Sequence, residues 1–366
     1  MRGRSAAPLL IILILLVPIA PAHAAASTYI YTETYTFENR GTSPVTLTKD
    51  DVAVPLFITN EYQTITITSS TPSLGTPYVD EDGNKLSDPN LSLTLQPGSK
   101  ITFSVTYQIE SSDASIPQLT LTNAGTASDI PSSLLSKYTS TTDSFWANNT
   151  AIAALTRSLT AGEPTVLGKV ARLVKWFKAN VTYATHEVPL FPNQTLNQKL
   201  GDCDDQSILL ISMLRSLGIP AYLEIGIVFN SGISGDDTVW NGHLAIKETG
   251  LAWHGWAMVY TPPYGWIPVD LTLVSDSDPL QMIKKAPEWT APVVTAMKVS
   301  DQRYTSLSVE TRQRIIDSGI YITSVETAQG VNGSWINPTM ILLTVGLLVA
   351  IAFMFYVGRR RKQQPI

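Results

Sequence analysis

The sequence predicts an α+β protein with an all-β N-terminal part, a mixed helix-and-strand part, and one C-terminal membrane-spanning helix. Three observations carry this. Residues 28 to about 125 alternate apolar and polar side chains at period two, the mark of half-buried strands. After about 130 the apolar residues recur at helical spacing, and strand-like segments follow. Residues 340–357 form an uncharged apolar stretch near the end of the chain. The 366 residues are 44% hydrophobic and 15% charged, which excludes a disordered chain and leaves room for two to three domains. A net charge of −5 argues against nucleic acid as a partner.

Both ends read as address signals. Arg2 and Arg4 precede an apolar run at 9–20 that leads into Ala22-His23-Ala24, the pattern of a secretory signal peptide over 1–24. At the other end, Trp335 and Tyr356 flank the apolar stretch. They are 21 positions apart, roughly 31 Å as a helix, which suits a transmembrane segment over 337–358. Arg359, Arg360, Arg361 and Lys362 follow, so the short tail 359–366 is expected to be cytoplasmic and the rest outside the cell membrane, single-pass. Six of the 25 basic residues lie in these termini with no acidic ones, leaving 19 against 30 and a net −11 for the part between. Sequons at Asn90, Asn148, Asn180, Asn193 and Asn332 all fall in that part.

In the β part, expected over 25–126, Tyr29 to Phe37 and Thr64 to Thr68 alternate cleanly, as do 91–95 and 101–109. Turn clusters such as Asn39-Arg40-Gly41 and Pro97-Gly98 separate them, and several short strands at this spacing predict an immunoglobulin-like β-sandwich. The acidic turn Asp80-Glu81-Asp82 reads as a solvated hairpin tip, with calcium as the less favoured use.

The mixed part is expected over 127–300. Val166, Val170, Leu173, Val174, Phe177 and Val181 share one helical face, and Pro164 stands where a first turn tolerates it. A second helix is expected from Cys203 to about Leu217, ended by Gly218 with Pro220 beyond. Strands follow at 221–229, 253–260 and 266–273. Residues 301–336 read as a further helix and a stalk.

The chain has one cysteine, which excludes an intrachain disulfide framework and a Cys-rich zinc site. Cys203 lies in Gly201-Asp202-Cys203-Asp204-Asp205-Gln206, where Asp202 and Asp205 form a candidate capping box. That puts Cys203 in a first helical turn, where unpaired N–H groups favour a thiolate. Asp204 and Asp205 oppose this, so a nearby imidazolium is required. His254 sits in the strand Trp253-His254-Gly255-Trp256. If Tyr260 pairs with Trp266 across the turn at 261–265, His254 opposes Thr272, and Asp270 falls diagonally beside His254 on one face. Pro268 hints at an edge strand or bulge. A carboxylate beside an imidazole fixes its tautomer and stabilises the cation formed when it takes a thiol proton. Cys203, His254 and Asp270 thus make a kit for acyl transfer. A metal site is disfavoured because no H-E-x-x-H or close His/Asp cluster appears, no cofactor is expected, and His243 is the spare base.

Gly201-x-Cys203-x-Asp205, Arg215-x-x-Gly218-Ile219-Pro220-Ala221, His254-x-Trp256-x-x-Val259-Tyr260 and Gly265-Trp266-x-x-x-Asp270-x-Thr272 together resemble the core of the transglutaminase-like superfamily. The resemblance covers roughly 130–275. It implies a papain-like fold, with Cys203 as nucleophile, His254 as general base and acid, and Asp270 as the orienting carboxylate. Leu271 departs from the proline frequent there. Prokaryotic members of this kind resemble thiol peptidases or amide hydrolases more than crosslinkers, and the whole arrangement resembles cell-surface members. The expected function is cleavage or transfer of amide acyl groups through a thioester, with surface protein or peptide as substrate. The alternatives are a glutamine acyltransferase that forms isopeptide crosslinks, and a non-catalytic binding module. The Cys203 N–H should supply one oxyanion donor, with Gln198, Trp176 and Tyr183 as candidates for the second. Trp253, Trp256 and Trp266 are core residues first and groove-lining residues second.

Overall fold

The computed structural model describes residues 26–331. Eight strands open the chain: β1 (Ser27–Asn39), β2 (Val45–Thr46), β3 (Val54–Pro55), β4 (Gln63–Thr71), β5 (Tyr78–Val79), β6 (Lys85–Ser87), β7 (Thr94–Leu95) and β8 (Lys100–Ser111). Then come α1 (Ser132–Tyr138), α2 (Thr150–Thr160), α3 (Val166–Asn180), β9 (Thr182–Tyr183), α4 (Pro192–Gln198), β10 (Leu200–Gly201) and α5 (Cys203–Arg215). The last third holds β11 (Ala221–Val239), β12 (Leu244–Thr261), β13 (Gly265–Val269), α6 (Pro279–Lys284), β14 (Val293–Val299), α7 (Tyr304–Ser318) and β15 (Ile320–Gly330).

One large sheet runs β14-β11-β12-β15-β1-β8-β4, with β13 also on β12. This corrects the expected fold class. The N-terminal strands do not close a sandwich of their own. β1 lies between β8 and β15, with Tyr29 opposite Gly330 on one side and Ile109 on the other. The stretch read as a stalk supplies β15. Its buried positions alternate through Ile320, Ile322, Ser324 and Glu326, and the two polar members hide the strand from a hydropathy reading.

The expected membrane anchor is corrected too: among the described residues no helix is long and apolar enough to cross a membrane. The stretches behind the anchor and the signal peptide, 337–358 and 1–24, lie outside the described residues, and a single-pass location is not supported.

Two cores flank the sheet. On one face α3 and α5 bury Val170, Leu173, Phe177, Ile208 and Leu209 against Leu223, Ala257 and Val259 of β11 and β12. The second core lies farther along the same two strands, where Ile227, Phe229 and Leu251 meet Tyr31, Phe57 and Tyr107. Within it, Glu33 stands opposite Glu326 in the β1–β15 register. Tyr107 Oη donates to Glu33 Oε1 at 2.7 Å, while Tyr31 Oη and Trp253 Nε1 donate to Glu326 Oε2 at 2.7 and 2.8 Å. Burial, helped by the charge of Glu326, pushes the Glu33 carboxyl up to about 8, although the Tyr107 and Tyr31 hydroxyls pull it down.

The acidic turn at 80–82 is a docking element rather than a free tip. Asp82 accepts the backbone N–H groups of Ser300, Asp301 and Gln302 at 2.8, 2.9 and 3.2 Å. Asn84 pairs with both backbone groups of Lys298 at 2.8 Å.

Candidate active site

The site is assembled where β12 lacks a strand neighbour. Along one edge β12 pairs with β15 at Leu244–Thr249 and with β13 at Ala257–Thr261, while β11 occupies the other edge. The residues between, which include His254 and Gly255, have no strand partner on that edge. The first turn of α5 docks there. Ser207 Oγ lies 3.4 Å from the Gly255 carbonyl while donating to Cys203 O at 2.7 Å. A Cβ on Gly255 would come within 3.1 Å of Asp204 Cβ, so the contact is close.

The capping box that opens α5 is formed, with Asp202 accepting from Asp205 N and Asp205 accepting from Asp202 N. Asp205 is fully buried. It also binds Leu190 N at 2.6 Å and His186 Nδ1 at 2.8 Å, tying the 186–190 loop to the helix start. Asp204 accepts the Tyr304 hydroxyl at 2.8 Å. Cys203 thus sits among three acidic neighbours. Burial, then Asp204 and Asp202, pushes its thiol well above the ordinary value, and the backbone amides of Gly255 and Asp204 pull it only partly back. Desolvation and negative charge thus oppose the thiolate that the helix start favours, as the acidic neighbours in the sequence lead one to expect.

Tyr260 pairs with Trp266, as the turn predicts. The expected continuation to Thr272 does not occur, because β13 stops at Val269. Leaving the ladder there frees Asp270 to turn toward β12, where its Oδ2 lies 2.6 Å from His254 Nε2. Its Oδ1 accepts Thr272 N at 2.8 Å and Leu273 N at 3.0 Å. Burial raises the Asp270 carboxyl, but the bond and charge of His254, with help from Glu288 and Thr272, win and hold it at about 2. With Nε2 committed to Asp270, Nδ1 is the nitrogen left for a thiol. Pro268, opposite Met258, lies on an edge strand where its missing N–H costs nothing.

The structure brings His254 and Asp270 into contact and sets Cys203 against Gly255, the next residue after His254. His243 lies elsewhere, with Nδ1 2.7 Å from Ile320 O and its ring stacked on Tyr321. Of the candidate oxyanion donors, Gln198 is exposed at the end of α4, and Trp176 packs under Lys199 Nζ at 4.5 Å. Tyr183, paired in register with Gly201, is exposed, and its hydroxyl is raised by burial and the charges of Cys203 and Asp202, so it remains a donor. Trp253 and Trp266 are engaged in packing, the first near Phe57 and the second against Tyr138, Tyr222 and Tyr260.

Sequence reasoning missed Glu288, which is buried beside the pair with Oε1 3.7 Å from His254 Nε2. No spacing in the sequence ties it to Cys203, His254 or Asp270. Among the described residues three sets of potential metal-ligand atoms lie within 4.8 Å of one another, His186/Asp202/Asp205, Asp202/Cys203/Asp204 and His254/Asp270/Glu288. In the two that contain a histidine, a carboxylate already occupies one imidazole nitrogen.

Residues 153–271 match the family model described as the transglutaminase-like superfamily. No curated protein matches the chain. Among solved structures it is similar to a candidate cysteine protease from Cytophaga hutchinsonii, at 14% identity and a TM-score of 0.52, over 85% of this chain and 93% of that one. It also matches the periplasmic domain of TgpA from Pseudomonas aeruginosa bound to ethylmercury, at 14% identity and a TM-score of 0.35, over 73% and 93% of the two chains. The helix that begins at Cys203 and the hairpin that carries His254 both fall inside the stretch that matches the transglutaminase-like superfamily model.

Proposed function

We propose that the protein is a thiol hydrolase that cleaves amide or peptide bonds through a thioester, with Cys203 as nucleophile, His254 as general base and acid, and Asp270 as its orienting carboxylate. The observation that carries this reading is the 2.6 Å contact between His254 Nε2 and Asp270 on the strand whose next residue, Gly255, packs against the first turn of the helix that Cys203 opens.

In this mechanism the resting thiol gives its proton to His254 Nδ1 as sulfur attacks the carbonyl carbon. Asp270 stays ionised and stabilises the imidazolium that forms. The Cys203 N–H, in the first turn of α5, faces the developing oxyanion, where one such donor is worth about 10²–10³ in rate. His254 then returns the proton to the departing amine, and water hydrolyses the thioester with His254 again as base.

Cys203→Ala should abolish turnover of peptide substrates and leave the thermal midpoint nearly unchanged. Retained turnover in that variant refutes the assignment. Incubation with a glutaminyl peptide and a labelled amine distinguishes hydrolysis, which releases acid, from transfer, which incorporates the label.

A further inference from the structure

Glu288 lies in the short 3₁₀ turn Pro287–Trp289, beyond the stretch that matches the family model. The turn is fixed on three sides. Trp289 Nε1 donates to Ile283 O at 3.0 Å, Trp289 O accepts Ala114 N at 2.8 Å, and Asp113 accepts Ala291 N at 2.8 Å. The Glu288 side chain is 5% exposed. Among the described residues neither of its oxygens receives a hydrogen bond, and 3.7 Å is too long for one from His254 Nε2.

As a carboxylate, Glu288 would be a buried charge without a hydrogen bond, beside a second carboxylate that already holds the one nearby imidazole nitrogen, a costly arrangement. As a carboxylic acid it can donate to Asp270, whose carboxylate has an oxygen within 4.8 Å of one of its own. We infer that Glu288 is a positioning residue that acts through Asp270, its neutral carboxyl donating to the Asp270 carboxylate and fixing the orientation in which Asp270 meets His254. The acidic groups facing Glu288 support this. Burial, then Asp270, with a smaller part from Glu224, all push its carboxyl well above the usual range. Asp270, with donors at Thr272, Leu273 and His254, is the one that keeps its charge.

The inference rests on the proposed Cys203–His254–Asp270 reading, and the test separates the two. The rate of Cys203 alkylation by iodoacetamide is followed against pH in the full chain and in the variants His254→Ala, Glu288→Gln and Glu288→Met. A wild-type profile with no His254-dependent limb overturns the site reading and this inference together. Given that limb, Glu288→Gln, which is neutral and still donates, should keep both rate and midpoint. Glu288→Met, similar in size but without a donor, should lose about tenfold in the His254-dependent rate, the value of one hydrogen bond to a charged group. A wild-type rate in Glu288→Met overturns the inference alone. So does a midpoint moved by about half a pH unit or more in Glu288→Gln, which would mean that a charge had been removed. Should Glu288→Met fail to fold, infrared difference spectra of wild type minus Glu288→Gln at neutral pH decide: a lost carboxylic-acid stretch supports the inference, and a lost carboxylate stretch overturns it.

Discussion

Glu33 offers a test of the seam that joins the two parts of the sheet. Its carboxyl is buried opposite Glu326 and pushed from 4.5 to about 8 in the folded protein. A raised folded pKa means that the native state binds the proton more tightly than the unfolded chain. The stability it contributes is present in full below about 4.5 and is lost as pH rises toward 8. At 1.36 kcal/mol per unit, the 3.5-unit shift corresponds to ~5 kcal/mol across that window. Other raised carboxyls, Glu248 at about 7 among them, slope the same way, so the measurement is a difference. Urea denaturation of wild type and Glu33→Gln at several pH values between about 4.5 and 8.5 should show the wild type losing several kcal/mol more than the variant, because the amide cannot ionise. Tyr107 Oη can still donate to the amide oxygen, which limits the pH-independent cost. A stability difference between the two that is flat with pH would refute the reasoning.

Two further predictions concern packing and docking. A Cβ at Gly226 would lie 2.1 Å from Val294 O and 2.6 Å from the Trp256 ring. Gly226→Ala must therefore push β14 off β11 and should cost about 3 kcal/mol in urea denaturation; an unchanged midpoint there would show that the bulged pairing yields freely. Asp82→Ala strips the acceptor from three backbone N–H groups of 300–302 and should lower stability by about 3 kcal/mol. Calcium should leave the wild-type thermal midpoint unmoved, since those carboxylate oxygens are already bonded, and a calcium-dependent rise would restore the ion-binding reading of the turn.

What could be read from the sequence was what local rules decide. The α5 cap, its stop before Gly218 with φ 71°, the face of α3, and the Tyr260–Trp266 register all depend on neighbours within about fifteen positions. The meeting of His254 with Asp270 followed from that register, although strand termination at Val269 delivers the carboxylate rather than a continued ladder. The rest depends on pairings that sequence spacing does not encode. β1 and β15 meet across nearly the whole chain, and β15 carries Ser324 and Glu326 on its buried side because tyrosines and a tryptophan satisfy them. The burial of Cys203, which adds to the opposition of Asp204 and Asp202, is a property of the folded chain that spacing does not show. Glu288 was invisible because only the folded turn brings it beside Asp270.

The seating of the opening strand between β8 and the closing strand governs how the molecule can be made. During synthesis, Tyr29 through Asn39 wait with one edge bare until Ile320 through Gly330 have left the ribosome. Such contacts, nearly three hundred positions apart, raise contact order and slow folding. Neither the leading third nor the remainder can complete its sheet alone, so fragments cut near residue 126 should each carry a sticky edge and aggregate, while an uncut chain closes cooperatively in its last step.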